Sequence, residues 1–381
     1  MLFSAILPRA ARIALCLCLA TPLPAAAQTA ADAAARFAAL EVKVKNAPVA
    51  VETLADVQSL SFGSAIAAQI TDADIALLRF LPNLGSASLD GVKGVSPKGL
   101  SQLANVPKLW RLSLRMSEMT DAHAMVLKSL PGLKNLDLTM NAGISDAAMP
   151  VIAALPALTD LRLDATAVTD TGLARLAGHA ALKTLSLGRT AVTDDGLAAL
   201  AGIGTLETLA LTDTGITGAG FVHLAGLARL QELSLMNSKV NDQAAPYIGQ
   251  MTGLKRLFIW NTAITDAAMP YFASLQALEV IYLDRTGVTD TGLAALAGLP
   301  KLRTVWLNNC AVSDAGMVHL LGLPLSSVQI GQTQVGDAGL AALAAIATLT
   351  SISARGSAVT EAGVAAALAV PGRNASLNIS H

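Results

Sequence analysis

The chain has 381 residues, of which 53% are hydrophobic, 3% aromatic and 14% charged. A mean hydropathy of +0.54 excludes a disordered chain, yet beyond the N-terminus no apolar run reaches the roughly 18 residues of a membrane-spanning helix. A formal net charge of −1 offers no electrostatic footprint for nucleic acid or for an acidic membrane surface.

In chain order, the first element is an address. Arg9 and Arg12 precede the apolar stretch Ile13 to Ala20, and Ala25, Ala26 and Ala27 stand before Gln28. A basic start, a short apolar core and a small-residue cleavage site predict an export signal over residues 1–27. Leu15 is too large for the position ahead of a lipidated Cys16. The expected product is therefore soluble and exported, periplasmic or extracellular, with no membrane insertion after cleavage. Cleavage removes Cys16 and Cys18 and leaves Cys310, so no internal disulfide is expected. It also removes two arginines, which leaves 24 basic and 27 acidic residues and a net charge of −3. Residues 28–56 follow. Within them Ala30 to Lys45, with Phe37 and Leu40, predict a capping helix that leads into the next segment.

Residues 57–381 repeat. The clearest copies are LTDLRLDATAVTDTGLARLAGHAA from Leu158 and LKTLSLGRTAVTDDGLAALAGIGT from Leu182. Further copies start at Leu206, Leu230, Leu254, Leu278 and Leu302, each 24 residues after the last. Leu325 and Leu349 continue the series, and Leu133, Leu109, Leu84 and the more degenerate Val57 extend it backwards. That makes thirteen copies, with a partial strand near Leu377 and Ile379.

Within each copy, L-x-L has a period of two, so both leucines face one side of a short strand. Val168, Leu173 and Leu176 then follow near-helical spacing. Thr169, Thr193, Thr265 and Thr289 stand where a helix starts, each followed by Asp. Thr suits the N-cap and Asp the positive helix end. Three copies depart from this: SDAAMP ending at Pro150, NDQAAP at Pro246 and TDAAMP at Pro270. Proline inside a helix removes a hydrogen bond and clashes, so these segments should start later or be distorted. One copy alone cannot bury its leucines, whereas stacked copies share one core.

The pattern L-x-x-L-x-L-x-x-T-x-V-T-D-x-G-L-x-x-L resembles leucine-rich repeats. Its T-D-x-G-L half is similar to the subclass with a helical convex side, which includes the cysteine-containing repeats of F-box proteins and many bacterial secreted repeat proteins. The resemblance implies an α/β solenoid, a horseshoe with a parallel concave sheet. The open ends of such a stack need caps. At the C-terminal end only Asn378, Ser380 and His381 are available to blunt it.

No catalytic signature is present: there is no G-x-S-x-G, H-E-x-x-H, Walker A or dinucleotide fingerprint. His123, His179, His223 and His319 fall on convex or loop positions of different copies, and His381 is terminal. His223 and His319 share a ladder position four copies apart, roughly 19 Å or more, too far for one metal. The Asp column (Asp170, Asp194, Asp242, Asp266, Asp290, Asp314, Asp337) invites a calcium ladder. Calcium, however, wants six to eight oxygens around one point, and each Asp already has a place at a helix start. Cys310 replaces the Thr or Ser of other copies (Thr286, Thr262, Ser238), as a buried ladder residue would. N-x-S at Asn374 and Asn378 is a short match and carries little weight. No cofactor or metal is expected.

The residues flanking the core leucines point to the concave face, which leucine-rich repeat proteins generally use for binding. Its middle column runs Ser113, Asp137, Arg162, Ser186, Ala210, Ser234, Phe258, Tyr282, Trp306, Gln329, Ser353. Three of the chain's thirteen aromatics occupy consecutive rungs there. At about 4.8 Å per rung they should form one apolar strip of about 10 Å. The next column adds Trp260, Asp284 and Asn308. Arg256, Arg285, Asn261 and Asn309 lie at the rim and Met236 borders the patch. A mixed-charge region (Arg111, Arg115, Asp137, Asp160, Arg162, Asp164) has the character of a solvated face. An aromatic strip with Arg and Asn at its rim has the composition of an interaction hot spot. The alternative is cross-strand pairing that only stiffens the sheet.

The leading expectation is a non-enzymatic exported recognition protein that binds a protein or peptide through this strip. A glycan-binding repeat protein is the alternative, since aromatic faces with Asn, Asp and Arg also suit sugar rings. An adaptor role like that of F-box proteins is a third. The segment before Val57 is too short for an F-box once the signal is removed. An enzyme would need a site built without histidine or a recognisable nucleophile.

Overall fold

The computed structural model describes residues 29–44 and 47–381, so the export signal expected over residues 1–27 lies outside the described residues. The first helix, α1 (Ala30–Ala39), opens on Thr29, whose side chain accepts from the Asp32 N–H while Asp32 answers back in a capping box. Phe37 is fully buried. Arg36 reaches Asp74 of the first repeat through Nε–Oδ1 at 2.6 Å and Nη2–Oδ2 at 3.2 Å. A short antiparallel pair follows, β1 (Lys43–Val44) and β2 (Ala47–Pro48).

Fourteen parallel strands then stack in chain order. They are β3 (Ser59–Ser61), β4 (Ser86–Ser88), β5 (Arg111–Ser113), β6 (Asn135–Asp137), β7 (Asp160–Arg162), β8 (Thr184–Ser186), β9 (Thr208–Ala210), β10 (Glu232–Ser234), β11 (Arg256–Phe258), β12 (Val280–Tyr282), β13 (Thr304–Trp306), β14 (Ser327–Gln329), β15 (Ser351–Ser353) and β16 (Asn378–Ser380). The thirteen copies and the partial last strand thus each supply one rung. The middle residue of each strand points inward; Leu161, Leu185, Leu209, Leu233, Leu257 and Ile281 are all 0% exposed. Burying one such side chain contributes about 1.5–3 kcal/mol, and the ladder repeats that gain at every rung.

Each strand is short because the chain must turn back to the convex side. Three residues past the strand, one residue adopts the left-handed conformation, with φ of 53–60° at Met116, Met140, Ala165, Arg189, Asp213, Asn237, Asn261, Arg285, Asn309 and Gln332. Glycine fills that place in the outer copies, at Gly91 and Gly356. In most copies the next residue is a hydroxyl that donates back to the carbonyl three residues earlier, as Thr166 does to Leu163 at 2.6 Å and Thr190 to Leu187 at 2.6 Å. The same carbonyls also accept the backbone N–H of Thr166 and Thr190, at 3.2 and 3.3 Å, so each closes the turn twice.

The convex side carries α-helical and 3-10 segments, most of a single turn, which lengthen to eight residues at Asp337–Ala344 and Glu361–Leu368. Thr169 caps the helix Asp170–Leu173 through the Thr171 N–H. In the three proline-bearing copies the α-helix begins later, at Met149, Ala245 and Met269, with Pro at its second position. There the missing N–H is not needed.

The Asp column does more than favour a helix start. Each carboxylate reaches into the next copy. Asp146 accepts from the Thr169 N–H at 2.8 Å and the Thr169 hydroxyl at 2.6 Å, and Asp170 does the same for Thr193. The glycine of the next T-D-x-G motif leaves room for it: a Cβ on Gly196 would stand 2.2 Å from Asp170 Oδ1.

Candidate functional site

The concave column predicted from sequence is the register found. Ser234, Phe258, Tyr282, Trp306 and Gln329 are cross-strand partners on β10 to β14. Tyr282 and Trp306 stack flat, with centroids 3.6 Å apart and planes 5° apart. That is closer than the roughly 4.8 Å spacing of the strands, so the two rings lean together. Phe258 meets Tyr282 at 4.8 Å but is tilted by 50°. The strip is therefore a stacked pair with a tilted third ring, and all three rings are half-buried because they cover one another.

Side chains stand roughly upright on a sheet. Rings stacked along it therefore spend their faces on each other and present their edges, with the Tyr282 hydroxyl, to the concave space. Trp260 lies one column over, half-buried, and among the described residues it makes no ring contact.

The polar neighbours divide into tied and free groups. Asp284 is only 8% exposed. Its Oδ1 accepts from the Asn308 N–H at 3.0 Å and from the Asn308 side-chain amide. That amide also donates to Gln329 Oε1 at 2.8 Å, and Asn308 Oδ1 accepts from the Gly331 N–H at 2.7 Å. Asp284, Asn308 and Gln329 therefore extend the strand ladder. Burial pushes the Asp284 carboxyl above its usual range, against the Asn308 hydrogen bonds and the Arg285 charge. Burial, and then the charge of Asp284, raise the Tyr282 phenol.

Arg256 pairs with Glu232 (Nε–Oε2 2.6 Å) and remains 44% exposed. Arg285 is exposed and occupies a left-handed turn. Asn261 and Asn309 occupy the same turn, which their short side chains tolerate. Asn261 donates to Asn237 Oδ1 at 2.7 Å.

Cys310 is buried at the Thr position of other copies; its thiol donates to the Leu283 carbonyl of the preceding copy at 3.0 Å, which also accepts from the Thr286 hydroxyl. Burial pushes that thiol up. His123 and His179 bond the Val95 and Leu155 carbonyls of the preceding copies at 3.0 and 3.2 Å. Among the described residues no group of His, Cys, Asp and Glu is placed to hold a metal ion, and no helix is long and apolar enough to cross a membrane.

In the mixed-charge region Arg115 faces Asp137 at 3.9 Å, and Asp164 accepts from the Ser186 hydroxyl at 2.6 Å and the Gly188 N–H at 3.0 Å. Sequence reasoning missed Trp110, Met116 and Met140, exposed by 44%, 46% and 49%. Trp110 was detectable, since it stands where other copies carry Lys134, Lys183 and Lys255.

Comparisons with known proteins agree with this architecture. The family model described as Leucine Rich repeat matches residues 180–201. The crystal structure of an internalin, InlF, from Listeria monocytogenes is similar over 88% of this chain and 91% of that one, at 22% identity and a TM-score of 0.65. A leucine-rich repeat protein from Leptospira interrogans aligns over 87% of this chain and 97% of its own, at 15% identity and a TM-score of 0.49. A comparison with curated proteins gives no match. The motif and the fold define a leucine-rich repeat protein, an α/β solenoid with a parallel concave sheet.

Proposed function

We propose that this is an exported, non-enzymatic recognition protein whose concave face binds a protein or peptide across the Phe258–Tyr282–Trp306 ridge. One observation carries the reading: three of the chain's few aromatic rings occupy consecutive rungs of the concave sheet and stay half-exposed there. Stacked aromatics of this kind serve as anchors at interfaces. The stacking also favours a peptide over a glycan. A sugar ring needs a free aromatic face, and at Tyr282 one face is covered by Trp306 while the tilted Phe258 ring lies 4.8 Å away on the other side. Ring edges instead suit side chains of a polypeptide. The exposed rim groups Arg285 and Arg256, the latter paired with Glu232, supply polar contacts, while Asp284 and Asn308 bond to each other beside the ridge.

The test is a capture experiment on cell-envelope and culture extracts. Wild-type protein is run beside a Tyr282→Ala/Trp306→Ala variant with unchanged circular dichroism. The reading expects a partner that wild type retains and the variant loses. Equal capture by both would remove the ridge as the site.

A further inference from the structure

The half of the sheet that bears the ridge is charged unevenly. Exposed cations stand on both lateral rims: Arg303 on the strand-start side, with the half-buried Lys255, and Arg285 and Arg355 on the strand-end side. Among the described residues no ion pair holds any of the four. The acids of this region are otherwise engaged. Glu232 is paired with Arg256, and Asp284 is buried in the ladder. Glu279 is the remaining acid beside the ridge, on the rim between Lys255 and Arg303.

The other aspartates of the same copies sit on the convex side. Asp266, Asp290 and Asp337 each accept from an N–H and a hydroxyl of the following copy, and Asp314 accepts from two N–H groups. Four cations without an ion pair thus flank the aromatic ridge, while the aspartates of the same copies other than Asp284 are bonded on the convex side.

From this we infer that the ridge takes an acidic polypeptide segment, with apolar side chains against the ring edges and carboxylates reaching Arg285 on one rim and Arg303 on the other. The inference rests on the concave face being the binding surface and adds the charge class of its partner. Complementary potential of this kind governs choice of partner and association rate, and it weakens with salt. Guanidinium groups suit carboxylates because they offer paired donors.

The experiment uses a displayed library of random peptides, panned on the full protein and counter-selected on the folded Tyr282→Ala/Trp306→Ala variant. The expected outcome is selected peptides rich in Asp and Glu beside apolar residues. A selected peptide should then bind an Arg285→Glu/Arg303→Glu variant at least tenfold more weakly, and should lose affinity as salt rises. Ridge-dependent peptides with no acidic excess would overturn the charge class while leaving the concave site standing. An unchanged affinity in the charge-reversal variant would do the same. Failure to select any ridge-dependent peptide would overturn both. Dextran sulfate that binds wild type and ridge variant alike, and displaces the peptides, would reassign the rim to polyanions in general.

Discussion

The Asp170 carboxylate accepts from the N–H and the hydroxyl of Thr193 at 2.8 and 2.6 Å, and it does so across the boundary between two copies. Local reasoning assigned Asp170 to its own helix start; the structure adds a bond to the next copy, and that bond explains the glycine of the motif. Gly196→Ala should cost about 1–3 kcal/mol, because the new methyl overlaps the carboxylate. In an Asp170→Gly background the same change should cost much less. Urea unfolding of the four proteins checks this, and an equal penalty in both backgrounds would refute it.

Two other carboxylates should respond to pH in opposite senses. Burial pulls the Asp194 carboxyl upward, but the Thr217 hydroxyl and the N–H groups of Gly220, Gly218 and Thr217 outweigh it, and the result lies below 3.8. Its contribution is present above 3.8 and is lost as pH falls through the lower folded value. Asp284 lies above 3.8, so its contribution is present below 3.8 and is lost as pH rises through the higher folded value. Asp194→Asn should flatten the acid limb of the stability profile. Asp284→Asn, which keeps an acceptor for Asn308, should raise the urea midpoint at neutral pH. Denaturation at several pH values separates the two.

At the scale of elements, α1 closes the first copy of the solenoid with Phe37 and a buried ion pair. Side-chain exposure is 15% at Arg36 and 3% at Asp74. Arg36→Met leaves the Asp74 charge without its partner and should cost about 3–5 kcal/mol. Hydrogen exchange should rise in α1 and the first copy. Unchanged protection there would show that the pair is dispensable. The strand register and the concave column were legible in the sequence because period-two leucines and a constant repeat length leave no freedom of register. The left-handed turn was not. Ala165, Arg189 and Arg285 occupy it without the glycine or asparagine that marks such turns, held there by the neighbouring copies. The candidate site was legible as a list of residues but not as an arrangement. Sequence placed Phe258, Tyr282 and Trp306 on one face, whereas ring tilt, the isolation of Trp260 and the burial of Asp284 depend on packing between copies.

Across the whole molecule, one sheet presents two unlike halves. The N-terminal half carries mixed charge, with Arg115 facing Asp137 and Asp164 tied into the ladder. The C-terminal half carries the aromatic ridge between cationic rims. The convex side is occupied by turns whose acids bond to the next copy. Recognition at the ridge therefore makes a spatial prediction: contact falls on one face of the solenoid and spares the other. Site-specific photocrosslinking tests this most directly. Benzoylphenylalanine is placed at Thr304, on the concave strand of Trp306, and separately at exposed Thr171 on the convex side, and both proteins are irradiated in envelope and culture extracts. Recognition at the ridge predicts a discrete adduct from position 304, absent when Tyr282→Ala/Trp306→Ala is added, and none from position 171. Adducts from position 171 alone, or an adduct from 304 that persists without the rings, would contradict it.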